Sequence, residues 1–185
     1  LFFIFSFPIV LFTQNQNLAD SLESIFHSGN YKSSEKLNIL KSLSENQTDI
    51  DKKIAFSNEL IETALSADSL KYILAGYLQK GHAYRINGNT TATIQAYSKA
   101  AELAIQNKSM RLLALINCDI AEVYSVTKDH ESASLYYKKG IQTFRELKDS
   151  MGLAVALNNA GDEYMNNNSN DTALIYLTES GEIFN

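Results

Sequence analysis

Three histidines, a single cysteine and one adjacent pair of acids are the side chains in this sequence best suited to chemistry, and their spacing argues against each use. His27 precedes Ser28-Gly29, His82 falls in a helical pattern and His130 sits where the chain turns, so no two share the spacing of metal ligands. Cys118 has no second cysteine with which to form a disulfide or a thiolate zinc site. Asp162-Glu163 are neighbours on a helical stretch and point about 100 degrees apart, too far to converge on one metal. The chain contains neither a glycine-rich phosphate loop nor a G-x-S-x-G nucleophile turn. Triplets such as Asn46-Gln47-Thr48 and Asn107-Lys108-Ser109 reflect a chain rich in Asn and Ser. The expectation is therefore no catalytic residue, no metal site and no cofactor. A net charge of -5 without a Lys/Arg run also argues against a nucleic-acid partner, which would need clustered cations for its phosphates.

The elements that carry these residues read as helices. The chain has 185 residues, 45% hydrophobic and 20% charged, enough apolar material to bury a sizeable core. Its only proline is Pro8 and it has eight glycines, so nothing after residue 8 removes a backbone donor from a long helix. The turn punctuation and alternating Val, Ile and Thr of a strand-rich protein are missing. An all-α fold is expected.

Between residues 77 and 180 one pattern occurs three times. Lys80-Gly81-His82-Ala83-Tyr84 returns as Ile120-Ala121-Glu122-Val123-Tyr124 and as Ala160-Gly161-Asp162-Glu163-Tyr164, a period of forty residues. Further columns follow: Thr93, Ala133 and Ala173; Tyr97, Tyr137 and Leu177; Ala100, Gly140 and Ser180. A fixed period in this range marks stacked repeats. Asp68-Ser69, Lys108-Ser109 and Asp149-Ser150 are read as opening the first helix of each unit, and Asn89-Thr90, Asp129 and Asp171 as opening the second, since such side chains accept from the free N–H groups of a first turn. The small residues Gly81, Ala121 and Gly161, with Ala100, Gly140 and Ser180, let paired helices approach closely, and the aromatics Tyr84, Tyr124, Tyr164, Tyr97 and Tyr137 are expected to fill the gaps so left. Units of residues 68–108, 109–148 and 149–185 result, the last cut short, and because no unit buries its stripe alone, the stack folds together.

Ahead of the repeats the register is lost. Residues 1–12 are almost wholly apolar and a polar stretch follows, so residues 1–16 resemble a secretory leader: a spanning helix needs about 20 apolar residues, a leader roughly 7 to 15. Leu18, Leu22, Ile25 and Phe26, then Leu37, Ile39, Leu40 and Leu43, then Ile50, Ile54, Phe56, Leu60, Ile61 and Leu65 form three helical stripes, with Ser33 and Asp49 as N-caps. Forty residues before Gly81 and Tyr84 stand Lys41 and Ser44, which suit neither column. Residues 17–67 are thus expected to form a degenerate capping layer.

Tyr77 with Gly81, Tyr84, the Gly88-Asn89 turn, Tyr97 and Ala100 resemble the tetratricopeptide repeat. The resemblance covers about residues 70 to 185 and implies a right-handed α-solenoid of stacked antiparallel helix pairs. The period departs from the family's thirty-four residues, no proline ends the helices, and Asn117 and Lys128 replace the aromatic and the turn glycine in the second unit. The extra six residues fall between Ala100 and the following unit.

The family's ligand groove is lined by the first helices, which implies Leu78, His82 and Arg85, then Cys118, Glu122 and Ser125, then Asn158, Asp162 and Met165, a mildly acidic surface lacking the Lys and Asn clamp for a peptide carboxylate. The implied partner is a protein or peptide, or a neighbouring repeat, with membrane contact only through the leader or a downstream spanning helix. Residues 153–161, Asp162-Glu163-Tyr164 and Leu177-Thr178-Glu179-Ser180-Gly181 are similar to the repeats of extracytoplasmic sensor regions in bacterial membrane-linked signalling proteins, whose output is a class III adenylate or guanylate cyclase or a histidine kinase. That implies a periplasmic location and further protein after residue 185, the rival reading being a stand-alone scaffold. His130-Glu131 is superficially similar to a kinase phospho-acceptor, but Ser132-Ala133-Ser134 follows it and it occupies a turn column, so it is set aside.

Overall fold

The computed structural model describes residues 7–184, with side chains from residue 16 onward. Every regular element among them is helical: α1 (Phe7–Ser28), a 3-10 turn (Ser33–Glu35), α2 (Lys36–Asn46), α3 (Ile50–Ser66), α4 (Leu70–Ile86), α5 (Thr90–Gln106), α6 (Met110–Val126), α7 (His130–Leu147), α8 (Ser150–Asn166) and α9 (Asn170–Phe184). The all-α expectation holds. The chain forms two compact units, residues 1–96 and 97–185, and the division falls inside α5. In the first unit α1 packs on α2, α2 on α3 and α3 on α4; in the second α6 packs on α7, α7 on α8 and α8 on α9.

The turns explain the period. Asp68, Gly88, Lys108, Lys128, Lys148 and Asn168 all have φ between 48° and 72°, and they stand twenty residues apart. At each, two backbone bonds close the helix: Asp149 N–H donates to Phe144 O at 3.0 Å and Lys148 N–H to Arg145 O at 3.1 Å, for example. The left-handed residue thereby satisfies carbonyls that would otherwise be orphaned at the helix end. The residue after it opens the next helix. Asn89 accepts from Ala92 N–H, Asp129 from Ser132 N–H and Asp149 from Gly152 N–H. The forty-residue unit is therefore two twenties, each a helix of about 17 residues and 25 Å with a minimal turn. Only Gly88 adopts this conformation without a Cβ penalty.

Two expected openings shift. Asp171 lies within the first turn of α9, whose start follows Ser169, in step with Asp129 and Asp149. Ser33 begins only the 3-10 turn, and α2 starts at Lys36, whereas Asp49 caps α3 as expected by accepting from Lys52 N–H at 3.0 Å.

The front of the first unit is irregular and filled by rings. Residues 1–6 of the expected leader lie outside the described residues; residues 7–16 continue into residues 17–28 as one helix. Among the described residues no helix is long and apolar enough to cross a membrane. Phe26 lies edge-on to Phe56 with centroids 6.1 Å apart and stacks on Tyr31 at 5.8 Å, over a core of Leu40, Leu43, Phe56 and Leu60. Lys53 is buried and donates to the Glu45 carbonyl at 2.8 Å, at the end of α2, and burial lowers its ammonium pKa.

Candidate functional site

The repeat columns set what is left exposed. Gly81, Ala100, Ala121, Ala133, Gly140, Gly161, Ala173 and Ser180 are all buried, as close-packing positions must be. What fills the gaps differs from expectation. A Cβ on Gly140 would meet Cys118 Sγ at 2.6 Å and the Ala114 carbonyl at 3.1 Å, and one on Gly161 would meet Leu177 at 2.7 Å, so a thiol and a leucine occupy the space assigned to aromatics. Gly76 and Gly152 have the same role, against Ile61 and Phe144, and belong to no column read from the sequence.

Tyr84 and Tyr124 are half-buried and only Tyr164 is buried. Tyr124 stacks on Tyr136 at 5.7 Å, and Tyr164 meets Tyr176 edge-on at 5.2 Å while its hydroxyl lies 2.6 Å from Ser134 Oγ. The residue twelve beyond Tyr84 is Ala96, so the first copy has no ring at that place. Tyr77 is half-buried, whereas Tyr97 and Tyr137 are buried.

On α4, Leu78 and His82 are half-buried and Arg85 is exposed. In the second unit the helix faces of α6 and α8 carry the remaining candidates. Asn158, Asp162 and Met165 are exposed on α8, and with Met151 and Val155 they form one stripe at spacings of four, three, four and three residues, the period of one helix face. Glu122 is half-buried and accepts from Asn159 Nδ2 at 3.4 Å across the α6–α8 contact. Asp119 stands half-buried near it, and Leu115 and Val126 are exposed to either side along α6. The face is thus acidic at its middle and aliphatic at both ends.

Cys118 leaves the candidate set. It is 9% exposed, wedged against Gly140 in the α6–α7 packing, and burial, with Asp119 and Glu122 adding to it, pushes its thiol up to about 12. A thiol so placed is a small hydrophobe rather than a nucleophile or ligand. Ser125 is turned away as well, donating to the Glu163 carboxylate.

Glu163, weighed in the sequence only as half of an adjacent acid pair, is the group whose role the sequence reading missed. It is 1% exposed on α8, yet bound: Ser125 of α6 donates to one oxygen and His130 Nδ1 of α7 lies 2.6 Å from the other. A buried carboxylate needs such partners, because an unpaired one costs several kcal/mol. The cluster does not have the order of a hydrolase triad. Serine and histidine bind the same carboxylate, whereas an activated serine must donate to the histidine. It joins three helices and holds the third repeat on the second. The signal was present in the column Ala83, Val123, Glu163, where an acid replaces two buried apolar residues.

Among the described residues no group of three His, Cys, Asp or Glu side chains is placed to hold a metal.

Residues 74–106 match the sequence profile of the family described as Tetratricopeptide repeat. No curated protein matches the chain. Among solved structures the chain is similar to BtubC (BKLC) from P. vanneervenii, with a TM-score of 0.77 and 18% identity over 94% of this chain and 73% of that one. It is also similar to a Podosopora anserina putative kinesin light chain with nearly identical TPR-like repeats, with a TM-score of 0.71 and 12% identity over 92% and 87% of the two chains. A third is MamA, with a TM-score of 0.59 and 17% identity over 99% and 96%. The fold is accordingly that of TPR-like helical-repeat solenoids.

Proposed function

We propose that this chain is a non-catalytic protein-interaction module that binds a protein or peptide segment along α6 and α8. The observation that carries this reading is the α8 stripe Met151, Val155, Asn158, Asp162 and Met165, apolar at its ends, with Glu122 and Asp162 at its centre. Three exposed aliphatic side chains in line on one helix are an interaction surface, and carboxylates between them select a segment with a basic residue flanked by aliphatic ones. The test is binding of an array of such peptides to the wild type and to the Glu122→Lys/Asp162→Lys variant. Binding that weakens with added salt and is lost in the variant, at unchanged helix content, supports the reading; equal binding by both proteins removes this face from consideration.

The finer reading places the module outside the cytoplasmic membrane, in the N-terminal part of a bacterial signalling protein with a nucleotide-cyclase output. A histidine-kinase output and a stand-alone scaffold are its alternatives. It is supported by the apolar residues 1–12 and by the resemblance of residues 153–164 and 177–181 to such sensor regions. Reading the gene beyond codon 185 tests it: a spanning helix followed by a cyclase domain is expected, and a frame that stops soon after overturns it.

A further inference from the structure

Within the second unit the two edges formed by the turns differ in charge. The α5–α6 and α7–α8 turns share one edge, across which Arg111 donates Nε–H to Asp149 Oδ2 at 2.6 Å. The α6–α7 turn and the end of α8 share the other, where Ser125 and His130 meet Glu163. Over equal lengths, residues 105–111 and 145–151 hold Lys108, Arg111, Arg145 and Lys148 against Glu146 and Asp149. Residues 125–131 and 165–171 hold, besides His130, Lys128 against Asp129, Glu131 and Asp171. In a chain of net charge -5, the first edge is therefore basic.

That basic edge also holds a cleft. A space of about 500 Å³ lies between the start of α6 and the end of α7, within the roughly 300–1,000 Å³ of ligand pockets. Its walls are aliphatic: Met110, Leu115 and Leu147 are 40%, 37% and 43% exposed, and Leu112 is half-buried beside them. Lys108 and Arg111 also line it, both exposed, and among the described residues its lining includes no acid. Asp149, which holds Arg111 from outside the cleft, is already committed, since its other oxygen accepts from Gly152 N–H at 3.0 Å. The repeat does not dictate this arrangement. Forty residues earlier, Asp68, Tyr72 and Ala75 stand where Lys108, Leu112 and Leu115 do, and forty residues later Gly152 replaces Leu112.

We propose that this cleft is a separate docking site for an acidic segment of a partner protein. A large aliphatic or aromatic side chain enters between Leu112, Leu115 and Leu147, and carboxylates flanking it meet Lys108 and Arg111. Charge complementarity selects that occupant, because a basic segment would bring cations against Lys108 and Arg111 with no acid in the lining to receive them. Arg111 gives Nε–H to Asp149, and a guanidinium has further N–H donors for a second carboxylate. The walls stay partly exposed, which suits a side chain projecting from a peptide rather than a ligand enclosed on all sides. The proposal does not rest on the α6–α8 reading, whose carboxylates select a basic segment, and it uses neither Glu122 nor Asp162.

Fluorescence anisotropy with a dye-labelled peptide, a phenylalanine flanked by glutamates, decides it, beside a control peptide in which glutamines replace the glutamates. Saturable binding of the glutamate peptide is expected, weakening with added salt and stronger than that of the control. Lys108→Glu should raise the dissociation constant by about tenfold or more. Lys108→Gly removes the charge without risk to the fold, because Lys108 has φ 52°, a conformation that glycine adopts freely; weaker binding at an unlowered melting temperature is expected. Leu147→Gln should weaken binding as well, whereas Glu122→Lys/Asp162→Lys should not, which separates failure here from failure of the α6–α8 site. Absence of binding by the wild type, equal binding of the two peptides, or binding unchanged in Lys108→Glu or Leu147→Gln overturns the proposal. Lys108-dependent sedimentation with phosphatidylserine vesicles, in the absence of peptide binding, overturns it too and assigns the edge to a membrane surface.

Discussion

The front of the first unit and the helix pairs of the second face the same task, holding one helix against the next, and they accomplish it by opposite means. Between α1, α2 and α3 the space is occupied by bulk: Phe26, Tyr31 and Phe56 stack over Leu40, Leu43 and Leu60, and the exposed edge is tied by Lys52 to Glu23 at 2.8 Å. Between α6 and α9 bulk is taken away: Gly140, Gly152 and Gly161 let neighbouring groups enter, and a buried carboxylate collects hydrogen bonds from two other helices. The difference teaches that periodicity belongs to the second solution. A position that must be small, at a fixed distance along two helices, recurs with the backbone; a ring cluster can fill an irregular gap and leaves no period.

The comparison can be broken at its largest stakes first. Phe56→Ala deletes a ring from the front cluster and is expected to destabilise the first unit by about 3–5 kcal/mol in denaturant unfolding. A loss under about 1 kcal/mol would mean that the rings are not what holds the front together. Next, Gly140→Leu forces a side chain against a backbone carbonyl and is expected to cost about 3 kcal/mol, whereas Gly161→Leu, opposed by a half-buried leucine that can swing away, costs about 1 kcal/mol. Equal melting shifts for the two would deny that backbone contact sets the demand. Third, Glu163→Ala leaves Ser125 and His130 without their carboxylate and should cost about 2 kcal/mol, with Glu163→Gln retaining part of the loss.

A smaller effect concerns acid. The backbone N–H of Ser132 lowers the Asp129 pKa, and that of Gly152 lowers the Asp149 pKa, with Arg111 adding to the second. Because the folded state holds these carboxyls below the unfolded value of about 3.9, their contribution is present above that pH and is lost as pH falls through the depressed values. Asp129→Asn/Asp149→Asn should therefore flatten the fall in stability of the second unit below about pH 4, as followed by circular dichroism. The smallest expected change is a gain. Lys148→Gly removes a Cβ from a residue at φ 55° and should raise stability by about 0.5 kcal/mol, the relief of left-handed strain exceeding the added chain entropy. No gain would show that the three turn lysines contribute more than their backbone geometry suggests.

Much of the fold was legible because it is local. The helical class follows from the near absence of proline, and Asp49, Asn89, Asp129 and Asp149 are N-caps where cap-forming side chains precede an apolar pattern. The twenty-residue step was also in the sequence, as Asp49, Ser69, Asn89, Ser109, Asp129, Asp149 and Ser169, but a reading by forties hid it and misplaced the start of α9 at Asp171. The candidate face was less legible. Cys118 and Asn158 occupy the same column forty residues apart, yet one is buried, its thiol wedged against Gly140 of α7, while the other is exposed.

By itself the sequence determined where helices begin and end, how long each runs and which positions must stay small, since capping, left-handed closure and helix periodicity depend on residues within a turn or two of one another. Only the tertiary structure decided which members of each column are covered. Burial depends on the helix next door, and that neighbour turns Glu163 into a bonded interior acid and Cys118 into packing, while their repeat partners face solvent or hydrocarbon.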